Sequence, residues 1–550
     1  MKHDRTNGST SSSRGVPSGP PARQPVRKRD RWLLLAILVG AALVRIAVIW
    51  MPSDQMLENG GLPFEEVMRG NAADDILRGT LLPLTDYQTN HFSGGSLVIA
   101  ILAVPFFLVG GTWFPVLRLV SLCFSLPLVL LTFLLVDRWG GRRAAWCATL
   151  LIAFAPPGYQ FLNCTVYGTH LEGNLVTVAL VYGYLRWRSS GRRGRIGVLL
   201  FGVASGFAVW FGYGQCVTVA VLAAVELAAS GWRFVLGFAP AYVLGFLVGF
   251  SPWIAHMLRH PGRALQIYDQ SLAAHFDFTT YVHDKLHLLG QLIVEDAPRS
   301  FWMHDVGRPF GYLLALVLYG AVLGLLASST WIERHRLIGF ARALLRGKGG
   351  FDASLRLISL AFISLWLCAL ALSDFVILSA TWVQGCRYLM PLVPFLVILA
   401  GLAVQEARRP ATRLLGTAVM IGIPFVDTLA TWAQIRPDRM RQHASAPAAS
   451  WTWHVRMISR RYGSDADAML EVLKRIEERR TDPERSQLVE GIATAITSIA
   501  ASGLRPSEAM DLDTSPFSGV LAYLADHAPE SQRPVFARRL AELNARRDSR

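Results

Sequence analysis

The chain contains a series of apolar runs that are long enough to cross a lipid bilayer. The first run, Trp32–Trp50, would form a helix about 28 Å long, close to the ~30 Å thickness of the hydrocarbon layer. Backbone groups in lipid must be hydrogen-bonded within their own segment or in a closed barrel, so such runs fold as helices. Ten further runs of this kind lie at residues 114–136, 144–160, 173–187, 196–213, 216–232, 234–256, 309–330, 357–375, 388–405 and 412–432. The sequence therefore predicts an all-α polytopic membrane protein with about eleven transmembrane helices.

The composition supports a membrane protein. Of the 550 residues, 52% are hydrophobic and only 17% are charged, whereas a soluble domain carries about 25% charged residues. These values exclude a soluble multidomain enzyme and a disordered protein. The net charge of +15 is expected from basic cytoplasmic loops, and we predict no nucleic-acid partner. The six cysteines are scattered, which supports neither a disulfide framework nor a zinc site.

The orientation depends on the short run Ser96–Val109, which Pro105 interrupts. We predict that this run is interfacial or re-entrant, because all the arginine-rich loops then face the cytoplasm. The N-terminus is then cytoplasmic, and two long segments, residues 51–113 and 257–308, face outward. Those basic loops contain Arg138, Arg142 and Arg143, then Arg186–Arg195, Arg233, Arg334–Arg356, and Arg408, Arg409 and Arg413.

The same pattern divides the chain into three parts. Residues 1–31 are rich in Ser, Gly, Pro and Arg and are predicted to form a disordered cytoplasmic tail. Residues 32–432 form the predicted transmembrane domain, with interfacial helices in the first outer loop. Residues 433–550 have a different composition and are predicted to form a small helical domain on the outer side.

Carboxylates are concentrated in the first outer segment, which has only two arginines in its acidic part. Any one of them is expected to be a solvated surface group. As a cluster at a membrane surface, however, they can supply a general base, because partial desolvation raises the pKa of a carboxyl group. The acids are Asp54, Glu58, Glu65, Glu66, Asp74, Asp75 and Asp86.

Three arginines lie near the predicted outer ends of spans. They are Arg45, Arg118 and Arg387. A charge at the centre of the bilayer costs about 2.5–3.5 kcal/mol or more, so intramembrane arginines are candidate functional residues. We predict that the three guanidinium groups hold a lipid phosphate, with snorkelling to the interface as the alternative for Arg45.

Histidines supply further candidates but no metal site. His170 and Glu172 open the fourth span from outside. His283 and His287 share a helix face, yet no third ligand at suitable spacing is evident. We predict neither a metal nor another cofactor, although a requirement for a divalent cation stays open.

The order of these features resembles one superfamily over residues 32–430. A span is followed by an acidic outer loop, an interfacial helix, a span beginning near Arg118, the basic loop DRWGGRRAA and the later motifs AFAPPGYQFLN and RYLMPLVP. This pattern is similar to that of the GT-C-type integral-membrane glycosyltransferases, which include protein mannosyltransferases and lipid A aminoarabinose transferases.

The resemblance implies a function and a set of residues. Such enzymes transfer a sugar, with inversion, from a polyprenyl-phosphate donor to a lipid or glycan acceptor, here at the periplasmic face of a bacterial inner membrane. The base is an acid in the first outer loop, which maps to Glu65 with Glu66 beside it, while Asp75, with Asp74, competes for the role. The family's second-loop acid corresponds to Glu172 or functionally to His170. The implied substrate-binding residues are Arg45, Arg118, Arg387, Tyr388, His91, His170 and Glu172.

Two other functions stay open at this point. A transporter or flippase of lipid-linked saccharides would be expected to show internal repeats and charges at mid-membrane, and the chain shows no convincing repeat. A non-catalytic scaffold with this fold is the second alternative, because Glu65 occupies a position where Asp is usual.

Overall fold

The computed structural model describes residues 28–50, 64–79, 84–87, 94–166, 169–190, 194–259, 308–347, 349–372 and 387–407, together with isolated residues within 282–290 and 522–541. Every regular element in these ranges is helical. The predicted span 412–432, the tail before residue 28 and nearly all of residues 433–550 lie outside the described residues.

Three helices are long and apolar enough to cross a membrane: Lys28–Ile49, Phe114–Trp139 and Trp232–Leu258. The all-helical membrane class is therefore confirmed, and the chain is an integral membrane protein. The total of about eleven spans and the orientation stay predictions. Five shorter apolar helices accompany them, at Gly95–Gly110, Arg195–Phe211, Gln215–Ser230, Leu355–Ala371 and Met390–Glu406.

Fourteen α-helices are described. Two 3₁₀ helices, Leu84–Tyr87 and Met390–Leu392, accompany them. In chain order the α-helices are α1 Lys28–Ile49, α2 Phe64–Arg78, α3 Gly95–Gly110, α4 Phe114–Arg118, α5 Val120–Trp139, α6 Arg142–Ala153, α7 Pro157–Cys164, α8 Thr169–Ser189, α9 Arg195–Phe211, α10 Gln215–Ser230, α11 Trp232–Arg259, α12 Arg308–Arg346, α13 Leu355–Leu372 and α14 Val393–Glu406.

The predicted continuous span 144–160 is wrong in one respect. Helix α6 ends at Ala153, and the separate helix α7 begins at Pro157. The cause is the pair Pro156-Pro157, because proline lacks the N–H that continues a helix and is well suited to the first position of a new one. The break leaves the last carbonyl groups of α6 without helical partners.

A glycine contact and two aromatic pairs join several helices in the apolar core. Helix α14 packs on α6, where a Cβ atom placed on Gly401 would lie 2.6 Å from the carbonyl oxygen of Ala144. Helix α6 also packs on α5, and the ring of Phe133 lies 4.6 Å from that of Trp146. The fully buried Phe395 of α14 extends this core towards Phe362 of α13, with ring centroids 4.1 Å apart.

Helices α9 and α11 approach each other at glycines on both sides. Gly202 and Gly206 of α9 face the backbone of α11, where a Cβ atom on Gly206 would lie 2.1 Å from the carbonyl oxygen of Phe246. Gly245 and Gly249 of α11 face α9 in the same way. Paired small residues four apart let membrane helices come into backbone contact, which is the basis of their association in lipid.

Candidate functional site

The acidic helix α2 is fastened to the membrane domain by a buried ion pair. Arg118, at the end of α4, donates from Nε to Oε1 and from Nη2 to Oε2 of Glu66, both at 2.9 Å. Both side chains are fully buried. A bidentate pair of this kind is the strongest form of charge-assisted hydrogen bonding, and it fixes the orientation of both groups.

The chain after α7 completes this contact. The backbone N–H of Val166 donates to Oε1 of Glu66 at 3.1 Å, and Arg69 donates from Nη1 to the carbonyl oxygen of Val166. The Arg118 guanidinium also lies 5.6 Å from the ring centroid of Phe161. Residues of α2, α4 and α7 thus meet at one place, and Glu66 accepts three hydrogen bonds there.

Two further carboxylates of α2, Asp74 and Asp75, are held farther along the helix. The hydroxyl of Tyr87, in the first 3₁₀ helix, donates to Oδ2 of Asp75 at 2.7 Å. Arg78 donates from Nε to Oδ1 of Asp74 at 3.0 Å, across one helical turn. Both aspartates are buried, with 4% or less of their surface exposed. Helix α2 therefore carries three buried carboxylates, each with a defined partner.

Arg45 is directed at the end of a neighbouring helix. Its guanidinium donates to the carbonyl oxygens of Ala153 at 2.9 Å, Ile152 at 3.1 Å and Ala41 at 3.2 Å. The first two are the carbonyl groups released where Pro156-Pro157 ends α6. A cation at a helix C-terminus also interacts favourably with the helix dipole. Arg45 is fully buried, and the structure assigns it an internal, helix-capping contact.

Cys164 packs against the same part of α1. Its Sγ atom lies 3.7 Å from the carbonyl oxygen of Arg45. Burial raises the pKa of the Cys164 thiol to about 11, and nearby Arg45 and Arg118 oppose that rise. The thiol is therefore neutral near pH 7, where it acts as a weak hydrogen-bond donor rather than as a nucleophile.

A second polar group connects α7 and α8 with the segment that holds Arg387 and Tyr388. Asn174 donates from Nδ2 to the carbonyl oxygen of Met390 at 3.3 Å and lies 3.4 Å from the hydroxyl of Tyr159. The half-buried Arg387 donates to the hydroxyl of Tyr388 at 3.0 Å, with its guanidinium 5.0 Å from the Tyr388 ring centroid. The structure thus brings the start of α8 close to the late RYLMP motif.

The beginning of α3 is fixed to the same region. The N–H of Gly94 donates to the carbonyl oxygen of Trp210, at the end of α9, at 2.6 Å. A Cβ atom on Gly95 would lie 2.1 Å from the Thr169 side chain, at the start of α8. Glycines are required at this junction because two backbones and an indole ring meet there. The start of α3 is therefore joined to α8 and α9.

An apolar cavity lies at the end of α3, next to α4. It has a volume of about 350 Å³ and is lined by the end of α3, by α4 and by Leu119, which precedes α5. Two of its lining residues, Val116 and Leu119, flank Arg118 in the sequence. The other lining residues are Pro105, Phe106, Val109 and Gly110.

The predicted site residues are placed as follows. Glu66 and Arg118 are together, Arg45 caps α6, and Arg387 and Tyr388 are near α8. Glu172 lies in the first turn of α8 and is buried. The side chains of Glu65 and His170 and all of His91 lie outside the described residues, as do most residues of the segment 257–308. Among the described residues, no group of three metal-ligating side chains occurs.

The partners that hold these residues are not among the predicted site residues. Arg69, Tyr87, Val166 and Asn174 were not nominated, although each bonds a candidate residue or its neighbouring segment. A signal was available for Asn174 and Thr177, which are polar residues three positions apart within the predicted span 173–187. Thr177 donates to Oε1 of Gln215 at 2.8 Å, which connects α8 with α10.

Comparison with known proteins gives structural likenesses alone. No protein-family model matches the chain, and no curated protein matches it. The structure is similar to that of ArnT from Cupriavidus metallidurans in the apo state, with a TM-score of 0.46, 14% identity, and coverage of 93% of this chain and 85% of that one. ArnT bound to undecaprenyl phosphate matches with a TM-score of 0.45 and 14% identity, covering 91% and 81%.

The Archaeoglobus fulgidus oligosaccharyltransferase in the apo form is also similar. Its TM-score is 0.42 at 13% identity, with coverage of 82% of this chain and 60% of that one. These structures are GT-C-type membrane glycosyltransferases, the superfamily that the sequence resembles. At such TM-scores and identities, no residue role or substrate passes from those proteins to this chain.

Proposed function

We propose that this protein is a membrane glycosyltransferase that transfers a sugar from a polyprenyl-phosphate donor to an acceptor hydroxyl at the outer membrane surface. The observation that carries the proposal is the Glu66–Arg118 pair. It holds an acidic helix against the membrane domain, where a carboxylate can work at the boundary between water and lipid. The sequence resemblance supports the same reaction class.

The reaction requires a base and a cation. A carboxylate removes the proton of the acceptor hydroxyl, and the acceptor oxygen attacks the anomeric carbon from the side opposite the phosphate. The bond between the anomeric carbon and the phosphate oxygen breaks, and the lipid phosphate leaves with the electron pair. Configuration at the anomeric carbon is inverted. A cation near the phosphate stabilises the charge that develops on this leaving group.

The contacts divide the candidates into two groups. Glu66 and Arg118 satisfy each other, so we assign them the role of positioning α2. We assign the base to Glu65, which precedes Glu66 in the same helical turn, with Asp75 as the alternative. Arg387, half-buried near the start of α8, is assigned to the donor phosphate, because a guanidinium group suits phosphate recognition.

The apolar cavity is assigned to the prenyl chain of the donor. It is lined by apolar residues, and two of them, Val116 and Leu119, lie near Arg118 in the sequence. Val116→Trp is expected to fill the cavity and to raise the KM for the lipid donor. Leu43→Trp, at a position of α1 that is 62% exposed, is the matched control and is expected to leave KM unchanged.

The assay uses the full-length protein in liposomes with undecaprenyl-phosphate-linked radiolabelled sugars and a cell-envelope extract as acceptor. Label transferred by the wild type should be lost in Glu65→Gln and in Arg387→Ala. If Asp75→Asn is inactive while Glu65→Gln is active, the base is Asp75. Transfer that survives all three substitutions contradicts the proposed site, and label that crosses the bilayer without bond cleavage indicates a transporter instead.

Binding separates a lost base from a lost fold. Undecaprenyl phosphate itself is the probe, and its stabilisation of the protein against heat is the readout. Glu65→Gln should keep that stabilisation, whereas Arg387→Ala should reduce it. A wild-type protein that binds the probe but cleaves no donor would support the non-catalytic scaffold.

A further inference from the structure

The longest described helix has a second half that the proposed reaction does not use. Helix α12 has 39 residues and is therefore about 58 Å long, more than the ~40–45 Å of a bilayer with its headgroups. Its apolar part ends near Ile332, and the segment 334–346 follows. That segment holds four arginines and one histidine and contains no acidic residue.

One face of α12 stays apolar beyond the end of the apolar part. Trp331, Ile338 and Leu345 are seven residues apart, so they lie on one side of the helix. They are 66%, 50% and 88% exposed, respectively. The predicted span ends at residue 330, so Trp331, Ile338 and Leu345 continue an apolar face beyond it into the basic segment.

Arginines flank this apolar face and are exposed. The guanidinium of Arg334 lies 4.0 Å from the ring centroid of Trp331 and donates to its carbonyl oxygen at 2.9 Å. Arg342 and Arg346 follow at helical spacing, and no carboxylate in the described part of the chain pairs with either. The face is thus a stripe of alternating apolar and cationic groups, defined by Trp331, Arg334, Ile338, Arg342, Leu345 and Arg346 and called the basic stripe below.

The opposite side of the same segment is packed against the protein. The ring of Phe340 lies 5.4 Å from that of Phe351, and Ser354 donates from Oγ to Oε1 of Glu333 at 3.0 Å. The N–H of Trp232 donates to the carbonyl oxygen of Gly347, just after α12. These contacts hold the helix end in place and leave the basic stripe facing outward.

We infer that the basic stripe is a binding site for anionic phospholipid headgroups of the leaflet at this end of the protein. Exposed apolar side chains beside arginines that pair with no carboxylate among the described residues fit the boundary between acyl chains and headgroups. Arginine side chains bury their stems in apolar surroundings while their guanidinium groups reach phosphates. Each basic residue near an anionic surface adds to the attraction. The site is independent of the proposed sugar transfer.

The test compares phosphatidylglycerol with phosphatidylcholine added to the full-length protein in detergent, with thermal unfolding as the readout. The wild type should be stabilised more by phosphatidylglycerol, and R342Q/R346Q should lose more than half of that difference. R342K/R346K should retain it, because the charges are kept. The matched control R195Q/R233Q removes two exposed arginines from the starts of α9 and α11 and should also retain it.

Three results would overturn the inference. One is an unchanged phosphatidylglycerol effect in R342Q/R346Q, and another is an equal loss in the R195Q/R233Q control. The third is a spin label at I338C that is shielded from both lipid-soluble and water-soluble paramagnetic relaxation agents in vesicles of either lipid. This result would mean that a protein covers the basic stripe. If R342Q/R346Q fails to fold, native mass spectrometry of L345N, which keeps both arginines, should still show fewer retained phosphatidylglycerol molecules than the wild type.

Discussion

Two contacts between elements of this protein use opposite means. At α2 and α4, a carboxylate and a guanidinium group meet in a fully buried bidentate pair. At α9 and α11, four glycines let the two backbones come into contact. A buried charge tolerates very few arrangements, because an unpaired ion in a low-dielectric interior is costly. Glycine contacts, in contrast, depend on the absence of a Cβ atom, which lets two backbones approach closely. The first contact fixes which groups meet, and the second fixes how close two helices come.

The ion pair is expected to give the largest effect when it is broken on one side. Glu66→Ala or Arg118→Ala leaves a buried uncompensated charge, which costs about 3–5 kcal/mol. Thermal unfolding in detergent should show this as a severe loss of stability or a failure to purify folded protein. The double variant Glu66→Met with Arg118→Met should recover most of the loss, since it removes both charges. A double variant as unstable as the single ones would mean that the pair does more than satisfy its own charges.

The glycine contact is expected to respond to a single methyl group. Gly206→Ala would place a Cβ atom 2.1 Å from the carbonyl oxygen of Phe246, so α9 and α11 must separate. Overpacking of this kind costs about 1–3 kcal/mol. Gly237→Ala on α11 is the control, because nothing lies within 4 Å of its Cβ position. The control should be neutral or slightly stabilising, and equal melting points for the two variants would contradict the close approach.

Substitution of Arg45 measures how much a buried cation contributes to stability when its partners are carbonyl groups. Arg45→Met leaves neutral acceptors behind and also removes the cost of burying a charge. We therefore expect a smaller loss than at Arg118, about 1–3 kcal/mol, because the Ile152 carbonyl oxygen loses the Arg45 donor while that of Ala153 keeps Nε2 of Gln160 at 2.9 Å. Thermal unfolding of the two variants side by side measures the difference. A larger loss for Arg45→Met would show that the α6 terminus depends on this arginine more than α2 depends on its ion pair.

Cys164 is expected to have the smallest effect near neutral pH. Its contact with the Arg45 carbonyl oxygen is weak, so Cys164→Ala should change the stability at pH 7 by about 1 kcal/mol or less. The folded-state pKa of about 11 is higher than the ordinary value of 9.0. The thiol therefore lowers stability as the pH rises above 9, when the unfolded state releases its proton first. Between pH 9 and 11 the Ala variant should lose less stability than the wild type, and parallel pH profiles would contradict a buried thiol.

The sequence was sufficient for the membrane class and for most helix positions. Apolar runs are a direct consequence of lipid as a solvent, so α1 at Lys28–Ile49 is close to the predicted Trp32–Trp50. The helix begins earlier because residues 28–31 are compatible with helix and need no apolar partner. The interruption after Ala153 could have been predicted as well, since the adjacent prolines Pro156 and Pro157 cannot continue a helix.

The pairing of site residues was out of reach of the same reasoning. Glu66 and Arg118 were each predicted as site residues because of their charge near a membrane boundary, but they are 52 positions apart in the sequence. Periodicity reports which residues share a face of one helix, and it carries no information on which faces meet. The partners Val166 and Tyr87 were hidden for a related reason, because a backbone N–H and a single tyrosine leave no pattern in the sequence.

The two prolines after α6 also have a consequence for how this protein can vary. They expose carbonyl groups inside the membrane domain, and the guanidinium of Arg45 takes them up. If this helix continued without a break, its carbonyl groups would be bonded within the helix. Arg45 would then be a buried cation without these acceptors, which is destabilising. In relatives of this protein, the proline pair and the arginine of the first helix should therefore be retained or lost as a unit.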